Sequence, residues 1–288
     1  MTIAHTIQDV RKSLDAARRD GRSIGFVPTM GALHAGHWAL IERARAECDV
    51  VVVSIFVNPL QFGPAEDLDR YPATLDADLA GCEQRGADLV FCPSVSAMYG
   101  DRTRFKTRVH VEKLSNCLCG RSRTNHFDGV CTVVAKLFGI VGPDRAFFGE
   151  KDYQQLMIVR EMVADLSIPV EIVPCATCRE ADGLAISSRN QFLSAEQREA
   201  ATSIHASLAG AVESVKAGHT DAANLVQNIR HQIETSGADR IDYVEIVDAI
   251  TLDSLARIDR PARICVAAFY GETRLIDNVA VDAPAPAR

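Results

Sequence analysis

The chain opens on a helical period. Ile7, Val10, Leu14 and Ala17 recur on one side of residues 6–20, Arg11, Lys12, Arg18 and Arg19 stand elsewhere, and Asp20-Gly21 ends the pattern. Two apolar runs, residues 23–28 and 49–57, then flank a helical stretch that starts near His34. The second run is almost wholly β-branched, which fits a strand covered on both faces, as in a parallel sheet. Strand, helix and strand in this order predict a βαβ unit with a right-handed crossover. The alternation continues. A helix is expected over residues 75–85, a strand at 87–93, a short alternating strand at 107–111 and a helix over 130–141. A strand from Arg145 leads into a helix through Val163, and a further strand follows at 169–174. Beyond residue 193 the order changes to two helices, at about 195–217 and 221–236, and then three strands, 241–247, 262–270 and 273–279, the last two joined by Gly271-Glu272 as a hairpin. The expected fold is α/β: a parallel-sheet domain over residues 1–175 and a smaller α+β domain over 176–288, with a disordered tail from Asp282.

Composition removes some functions. The formal charge of −7 argues against general nucleic-acid binding, which wants a basic surface, but leaves room for a local basic pocket. No apolar run reaches the ~20 residues that span a bilayer. The segment Met1-Thr2-Ile3-Ala4-His5-Thr6 has no charged region followed by an apolar core, so no secretory signal is expected and a cytoplasmic location is. Several of the nine cysteines, Cys92 and Cys265 among them, lie in apolar runs and read as reduced, buried thiols. Cys175-Ala176-Thr177-Cys178 has a metal-like spacing and Cys117-Leu118-Cys119 a closer one, but no second pair matches the former, and no zinc is expected.

The candidate chemistry gathers at three stretches. The first is residues 26–37, Phe-Val-Pro-Thr-Met-Gly-Ala-Leu-His-Ala-Gly-His, a strand end, a Gly-bearing turn at Gly31 and the start of a helix. Helix-start N–H groups are unpaired and the dipole there favours an anion, so this is a phosphate cradle in form. His34 and His37, with Gly36 between them, share one face of the first turn, where two imidazoles can donate to a reacting phosphoryl group. The same residues could be a zinc half-site or a helix cap. Beyond the next strand, Asn58 and Gln61 lie where an α/β sheet binds small ligands, although by themselves they read first as plain loop amides. Arg102, Arg104, Lys106, Arg108, Lys113, Arg121 and Arg123 form the most basic stretch, by default a solvated face, which ends in a polar loop at 125–129 carrying His126. The second stretch is 145–155. Gly149 permits close backbone approach, Lys151 suits phosphate, Asp152 suits a ribose or metal, and Gln155 follows one turn later. The third is 179–190, where Ser187-Ser188-Arg189 suits a triphosphate. Ser194 and Gln197 already supply a capping box for the next helix, which leaves Ser187-Ser188-Arg189 without that explanation.

His-x-Gly-His resembles the signature of the nucleotidylyl-transferase superfamily. Together with residues 56–63, His126-Phe127-Asp128-Gly129-Val130, residues 148–155, residues 179–190 and Leu275-Ile276-Asp277-Asn278, it resembles the pantoate–β-alanine ligase family from end to end and in order. That resemblance implies a Rossmann-like first domain and ATP-driven condensation of pantoate with β-alanine through a pantoyl adenylate, with Mg²⁺ accompanying ATP and a homodimer as the assembly. It implies that His34, His37 and Lys151 are catalytic, His37 being the one credited as proton donor. It places ATP on Met30, Gly31, His34, Gly36, His37, Gly149, Glu150, Lys151, Asp152, Cys178, Ile186, Ser187, Ser188 and Arg189. It places pantoate on Gln61 and Gln155, with Asn58, Met30 and His126 nearby. The chain departs from the family pattern at Ala73, commonly Arg; at Thr124-Asn125, often Pro-Gly; at Cys178, often Val; and at Ile186, often Met.

Two rival readings stand beside this one. An adenylyltransferase acting on a phosphate ester would want basic side chains where this chain has the neutral amides Asn58, Gln61 and Gln155. A non-catalytic nucleotide-binding module would have no use for a Lys, an Arg and two His on one triphosphate.

Overall fold

The computed structural model describes residues 1–63, 68–72, 74–100 and 105–283. Arg102, Arg104, Ala73 and the end of the expected tail, from Pro284, lie outside the described residues. The chain forms two compact units. One comprises Met1–Ser115, Arg123–Glu150 and Gln155–Ala176; the other comprises Asn116–Ser122, Lys151–Gln154 and the chain from Thr177 onward. In chain order the elements are β1 (Thr2–Ala4), α1 (Ile7–Arg19), β2 (Ile24–Thr29), α2 (Ala35–Glu47), β3 (Val50–Ile55), α3 (Leu75–Gln84), β4 (Leu89–Phe91), α4 (Val95–Tyr99), α5 (Cys119–Ser122), α6 (His126–Val141), β5 (Arg145–Gly149), α7 (Tyr153–Asp165), β6 (Glu171–Cys175), α8 (Ala195–Ala200), α9 (Thr202–Lys216), α10 (Ala222–Thr235), β7 (Arg240–Asp248), β8 (Ala262–Tyr270) and β9 (Thr273–Val281).

In the first unit six parallel strands lie in the order β1-β4-β3-β2-β5-β6. The chain winds outward from β2 through β3 to β4, then returns to β5 on the other side of β2. The switch point, where open α/β sheets bind ligands, therefore lies between β2 and β5. Alternation along β2 explains why both of its faces are apolar. Val27 belongs to a core with Leu40, Ile41 and Ala44 of α2, while Phe26, on the opposite face, meets Phe138 of α6 edge-on at 6.3 Å. The apolar period of α1 buries Val10, Leu14 and Ala17, and Thr6 with Asp9 closes its N-terminus as a capping box.

The second unit carries the antiparallel sheet β7-β8-β9, with β8 central. Its core joins Ile264, Val266, Ala268 and Tyr270 of β8 to Ile204 and Leu208 of α9 and Leu225 and Ile229 of α10.

Four expectations change. β1 was not expected: three residues, of which only Ala4 is buried, are too short to show a period. Residues 107–111 alternate but pair with no strand among the described residues. The loop expected at 125–129 is the first turn of α6, which begins at His126. The helix expected over about 195–217 is interrupted at Ala201, which caps α8 and opens α9.

Candidate active site

The turn that leaves β2 begins with two residues in the left-handed region, Gly31 (φ +87°) and Ala32 (φ +50°). Glycine tolerates this and alanine does so only against a steric cost. Several of the backbone donors expected to hold a phosphate already have partners in the protein. Gly31 N–H donates to Thr29 Oγ1 at 3.2 Å, and Ala32 and Leu33 N–H donate to the two oxygens of Asp78 at 2.9 and 2.8 Å. At the start of α2, Gly36 N–H donates to Nδ1 of His34 at 3.2 Å, and His34 N–H donates to Nδ1 of His37 at 3.3 Å. The protein's own side chains thus engage the N–H groups of Gly31, Ala32, Leu33, His34 and Gly36 in the expected cradle.

This capping fixes the chemistry of the two imidazoles. A nitrogen that accepts from a backbone N–H carries no proton itself, so both rings are held as the neutral Nε2–H tautomer. Their ring centroids are 4.0 Å apart. The pair presents two imidazole donors of fixed tautomer, close together, at the carboxyl end of β2.

Next to this turn lies a polar network built on Asn58 and Gln61. Asn58 is 1% exposed, and its amide orientation is unambiguous. Its Oδ1 accepts from Leu60 N–H at 3.2 Å and from Tyr99 Oη at 2.8 Å. Its Nδ2 therefore donates to Gly129 O and to Gln61 Oε1, each at 3.0 Å. That in turn forces Gln61 to turn its NH₂ the other way, where Nε2 donates to Met30 Sδ at 2.9 Å. The second N–H of Gln61 has no protein acceptor among the described residues. Asn58 spends all four of its hydrogen-bonding positions inside the protein, and one of them orients Gln61.

His126 likewise acts on Gln61. Arg123 Nη1 donates to its Nε2 at 3.0 Å, so Nδ1 carries the proton and donates to Gln61 O at 2.7 Å. His126, expected near pantoate, thus grips the Gln61 backbone. Gly129 completes the fit, because a Cβ there would lie 2.3 Å from Leu60 O. The Thr124-Asn125 departure is also accounted for. Asn125 takes φ +62°, the left-handed conformation a glycine would supply and asparagine tolerates, and α6 starts from it. Gly149 and Glu150, leaving β5, and Gln155, half-buried on α7, belong to this unit as well.

The remaining candidates belong to the second unit. Lys151 sits in a short 3-10 turn, Glu150–Asp152, and its backbone carbonyl accepts from Asn278 Nδ2 at 2.9 Å. Asp152 is exposed. The neighbouring Asp277, 4% exposed, grips Arg179 with both oxygens at 2.6 and 2.9 Å and so anchors the segment that carries Ser187, Ser188 and Arg189. Ile186 N–H donates to Cys178 O at 3.0 Å, which ties these two residues by backbone rather than by side chain. Ser187 does have a capping role: its Oγ accepts from Arg189 N–H at 3.3 Å and starts the 3-10 turn Ser188–Phe192.

All nine cysteines are free thiols. Among the described residues no group of three or more His, Cys, Asp or Glu is arranged to hold a metal. Burial pushes the Cys82, Cys131 and Cys265 thiols up to about 12, away from nucleophilic character. No helix of the described residues is long and apolar enough to cross a membrane. Sequence reasoning missed Asp78 and Tyr99, which act on partners 46 and 41 positions away and stand in no motif; it read Arg123 only as part of a solvated basic face, whereas it fixes His126, three residues on.

Comparison with known proteins places the chain in a family. The family model described as pantoate-beta-alanine ligase matches residues 2–280. The pantothenate synthetase of Pseudomonas fluorescens (strain Pf0-1) is 50% identical over 287 residues, covering 100% of both chains. The crystal structure of pantothenate synthetase from Thermus thermophilus superposes with a TM-score of 0.92 at 46% identity, over 97% of this chain and 99% of that one. The pantoate-beta-alanine ligase of Francisella tularensis, solved with beta-gamma ATP and beta-alanine, has a TM-score of 0.82 at 36% identity, over 97% of each chain. The chain belongs to the pantoate–β-alanine ligase family.

Proposed function

We propose that this chain condenses pantoate with β-alanine at the expense of ATP, by way of a pantoyl adenylate, and releases AMP and pyrophosphate. A pantoate carboxylate oxygen attacks the α-phosphorus, and the bond to the bridging oxygen of pyrophosphate breaks. The β-alanine amine then attacks the acyl carbon, AMP departs and the amine gives up a proton. The observation that carries this reading is the mutual capping of His34 and His37, which leaves each ring with a single protonated nitrogen, Nε2. Adenylation builds negative charge around the α-phosphate, and donors set in advance stabilise such charge without reorganising. Removal of one donor of this kind typically costs about a hundredfold or more in turnover.

Gln61 supports the substrate assignment. Its oriented NH₂ gives a neutral donor for pantoate, which can be held without an ion pair quenching the carboxylate that must attack. Lys151, Ser187, Ser188 and Arg189 are the residues we assign to the triphosphate, and Gln155 to pantoate beside Gln61. Cys178 and Ile186, tied by their backbones, flank the adenine in this reading. No thiol is required, because the substrate carboxylate is the nucleophile, and the buried cysteines are poorly suited to such a role. Mg²⁺ would be held chiefly by ATP phosphate oxygens and water, which suits its habit of keeping several waters and taking only one or two carboxylates. Asp152, exposed beside Lys151, is the carboxylate suited to assist it, and the ion would neutralise phosphate charge. We assign the protein to the cytoplasm as a homodimer, by analogy with its family.

The test is pyrophosphate release from ATP with each substrate withheld in turn. Turnover is expected only when pantoate is present, stalling at one equivalent of bound pantoyl adenylate until β-alanine is added. When the pantoate carboxylate carries heavy oxygen, label is expected in AMP. Unlabelled AMP, or an acyl group covalently attached to the protein, refutes the scheme.

A further inference from the structure

Asp78 is an acidic side chain 2% exposed, with no salt-bridge partner among the described residues. It lies on α3, a helix whose first turn also contains Asp76. Its two oxygens accept three hydrogen bonds: from Ala32 N–H at 2.9 Å, from Leu33 N–H at 2.8 Å and from Thr74 Oγ1 at 3.2 Å. The two backbone donors belong to the turn between β2 and His34. Two consecutive left-handed residues, Gly31 and Ala32, aim successive N–H groups into one concavity, an arrangement that ordinarily binds an anion. Here the anion is the protein's own carboxylate.

The way α3 delivers Asp78 is built into the packing. Gly81, one turn later on the same face of α3, has no room for a side chain, because a Cβ there would lie 2.3 Å from the Trp38 indole of α2. Arg85, a further turn on, stacks over that indole at 4.4 Å from its centroid. Trp38 directly follows His37. The contact that seats α3 on α2 therefore starts next to the catalytic pair and ends with Asp78 under the turn that carries it.

We propose that Asp78 is a positioning residue for adenylation. It holds Ala32 in a backbone conformation alanine resists, and thereby fixes the height and direction of His34 and His37 at the end of β2. The proposal rests on the ligase reading above and adds a residue to it. The carboxylate bonds to the backbone N–H groups of residues 32 and 33, so its effect on the reaction runs through the backbone that leads into His34.

Two features follow from this role. Replacing Asp78 by Asn keeps size and shape but puts an NH₂ against a backbone N–H, so one of Ala32 and Leu33 loses its acceptor in a buried place. Loss of such a bond corresponds to about tenfold to a hundredfold in an equilibrium. Replacing Ala32 by Gly removes the steric reason for needing the clamp.

The experiment measures pyrophosphate release by the full-length wild type, Asp78→Asn and Asp78→Asn/Ala32→Gly, together with KM for each substrate and thermal melting. Asp78→Asn is expected to lower kcat about tenfold to a hundredfold. KM for β-alanine should stay within about twofold, as expected for loss of an interaction felt mainly in the transition state. Adding Ala32→Gly is expected to recover about threefold or more of the lost kcat, because glycine populates the left-handed region freely. A wild-type kcat in Asp78→Asn overturns the proposal. So does a loss of kcat that Ala32→Gly leaves unimproved, since a merely structural carboxylate would show no such rescue. If Asp78→Asn does not fold, Ala32→Val keeps Asp78 and makes the same conformation costlier, and it must then show the same loss of kcat; wild-type kcat in that variant overturns the proposal. If the wild type releases no pyrophosphate with pantoate, the ligase reading fails before this one is reached.

Discussion

Asn58→Asp isolates the network that orients Gln61. The change is nearly isosteric, but it replaces the only donor that Asn58 offers with a second acceptor. In the protein that donor serves two acceptors, Gly129 O and Gln61 Oε1, each at 3.0 Å, in a side chain only 1% exposed. Gln61 can answer by rotating its amide half a turn, so that Nε2 donates to the new carboxylate. Oε1 then faces Met30 and the ligand. One acceptor, Gly129 O, stays unpaired in either case, and a buried unsatisfied group costs about 1–3 kcal/mol. For a unit of this size that corresponds to a fall in melting temperature of about 2–12 °C. The functional effect is sharper. A flipped Gln61 meets pantoate oxygens with an oxygen, so a bond of roughly 1–1.5 kcal/mol becomes a repulsion, and KM for pantoate is expected to rise about tenfold or more. KM for ATP should change far less. The assay is steady-state pyrophosphate release with each substrate varied separately, beside a melting curve. A variant that melts lower but keeps the wild-type KM for pantoate refutes the orientation argument.

Three further outcomes are expected. His37→Asn retains an acceptor for His34 N–H but loses the Nε2 donor, so it should fold normally and lose about a hundredfold in single-turnover adenylation with little change in ATP affinity; near-normal turnover would remove His37 from the reaction. Asn278→Ala frees the Lys151 carbonyl and should lower kcat about tenfold, an interaction of roughly 1–1.5 kcal/mol, whereas wild-type kcat would show that this bond does not position Lys151. Cys82, Cys131 and Cys265, pushed by burial from the ordinary 9.0 up to about 12, should resist iodoacetamide at about pH 8 when residue-level mass spectrometry is used; because the unfolded thiols ionise first, stability should fall as pH rises above about 9 towards 12, and rapid native labelling of Cys265 would contradict the assignment.

The order of strands and helices was legible because apolar period and turn residues carry it: the β-branched run of β3 and the four-residue spacing of Val10 and Leu14 admit few other readings. The histidine pair was legible as chemistry but not as structure. A helix cap was one of the readings the pair allowed, but histidine is not among the usual caps, so the sequence did not signal which backbone N–H each ring would take. Asp78 was hidden for a different reason. Leu75-Asp76-Ala77-Asp78 offers two acidic residues in one turn, and only the packing of Gly81 against Trp38 decides which of them is buried. Ala32 gave no sign of its positive φ, because alanine has no intrinsic preference for it and the clamp comes from 46 positions away. Asn125 shows the opposite case: asparagine's tolerance of the left-handed region makes sense of a departure from the family pattern that could not be resolved from sequence alone.

The same economy governs His34, Gln61 and His126. Each has one atom engaged by the protein in a way that decides what its other polar atom must be: an acceptor taken at Nδ1 leaves a donor at Nε2, and a donor met at Gln61 Oε1 leaves a donor at Nε2. Orientation is therefore settled by hydrogen bonds before any ligand arrives, which is the condition under which dipoles act on a transition state without reorganisation. These groups are also neutral. In a reaction whose nucleophile is a carboxylate, a cation bound directly to the attacking oxygens would stabilise the ground state as charge there is being lost, and so raise the barrier. Neutral donors hold the same carboxylate with less penalty. That difference gives a physical reason for a chain with arginines and lysines elsewhere to place amides at Gln61 and Gln155, the residues we assign to pantoate, and to spend a buried tyrosine, Tyr99, on fixing Asn58, which in turn orients Gln61.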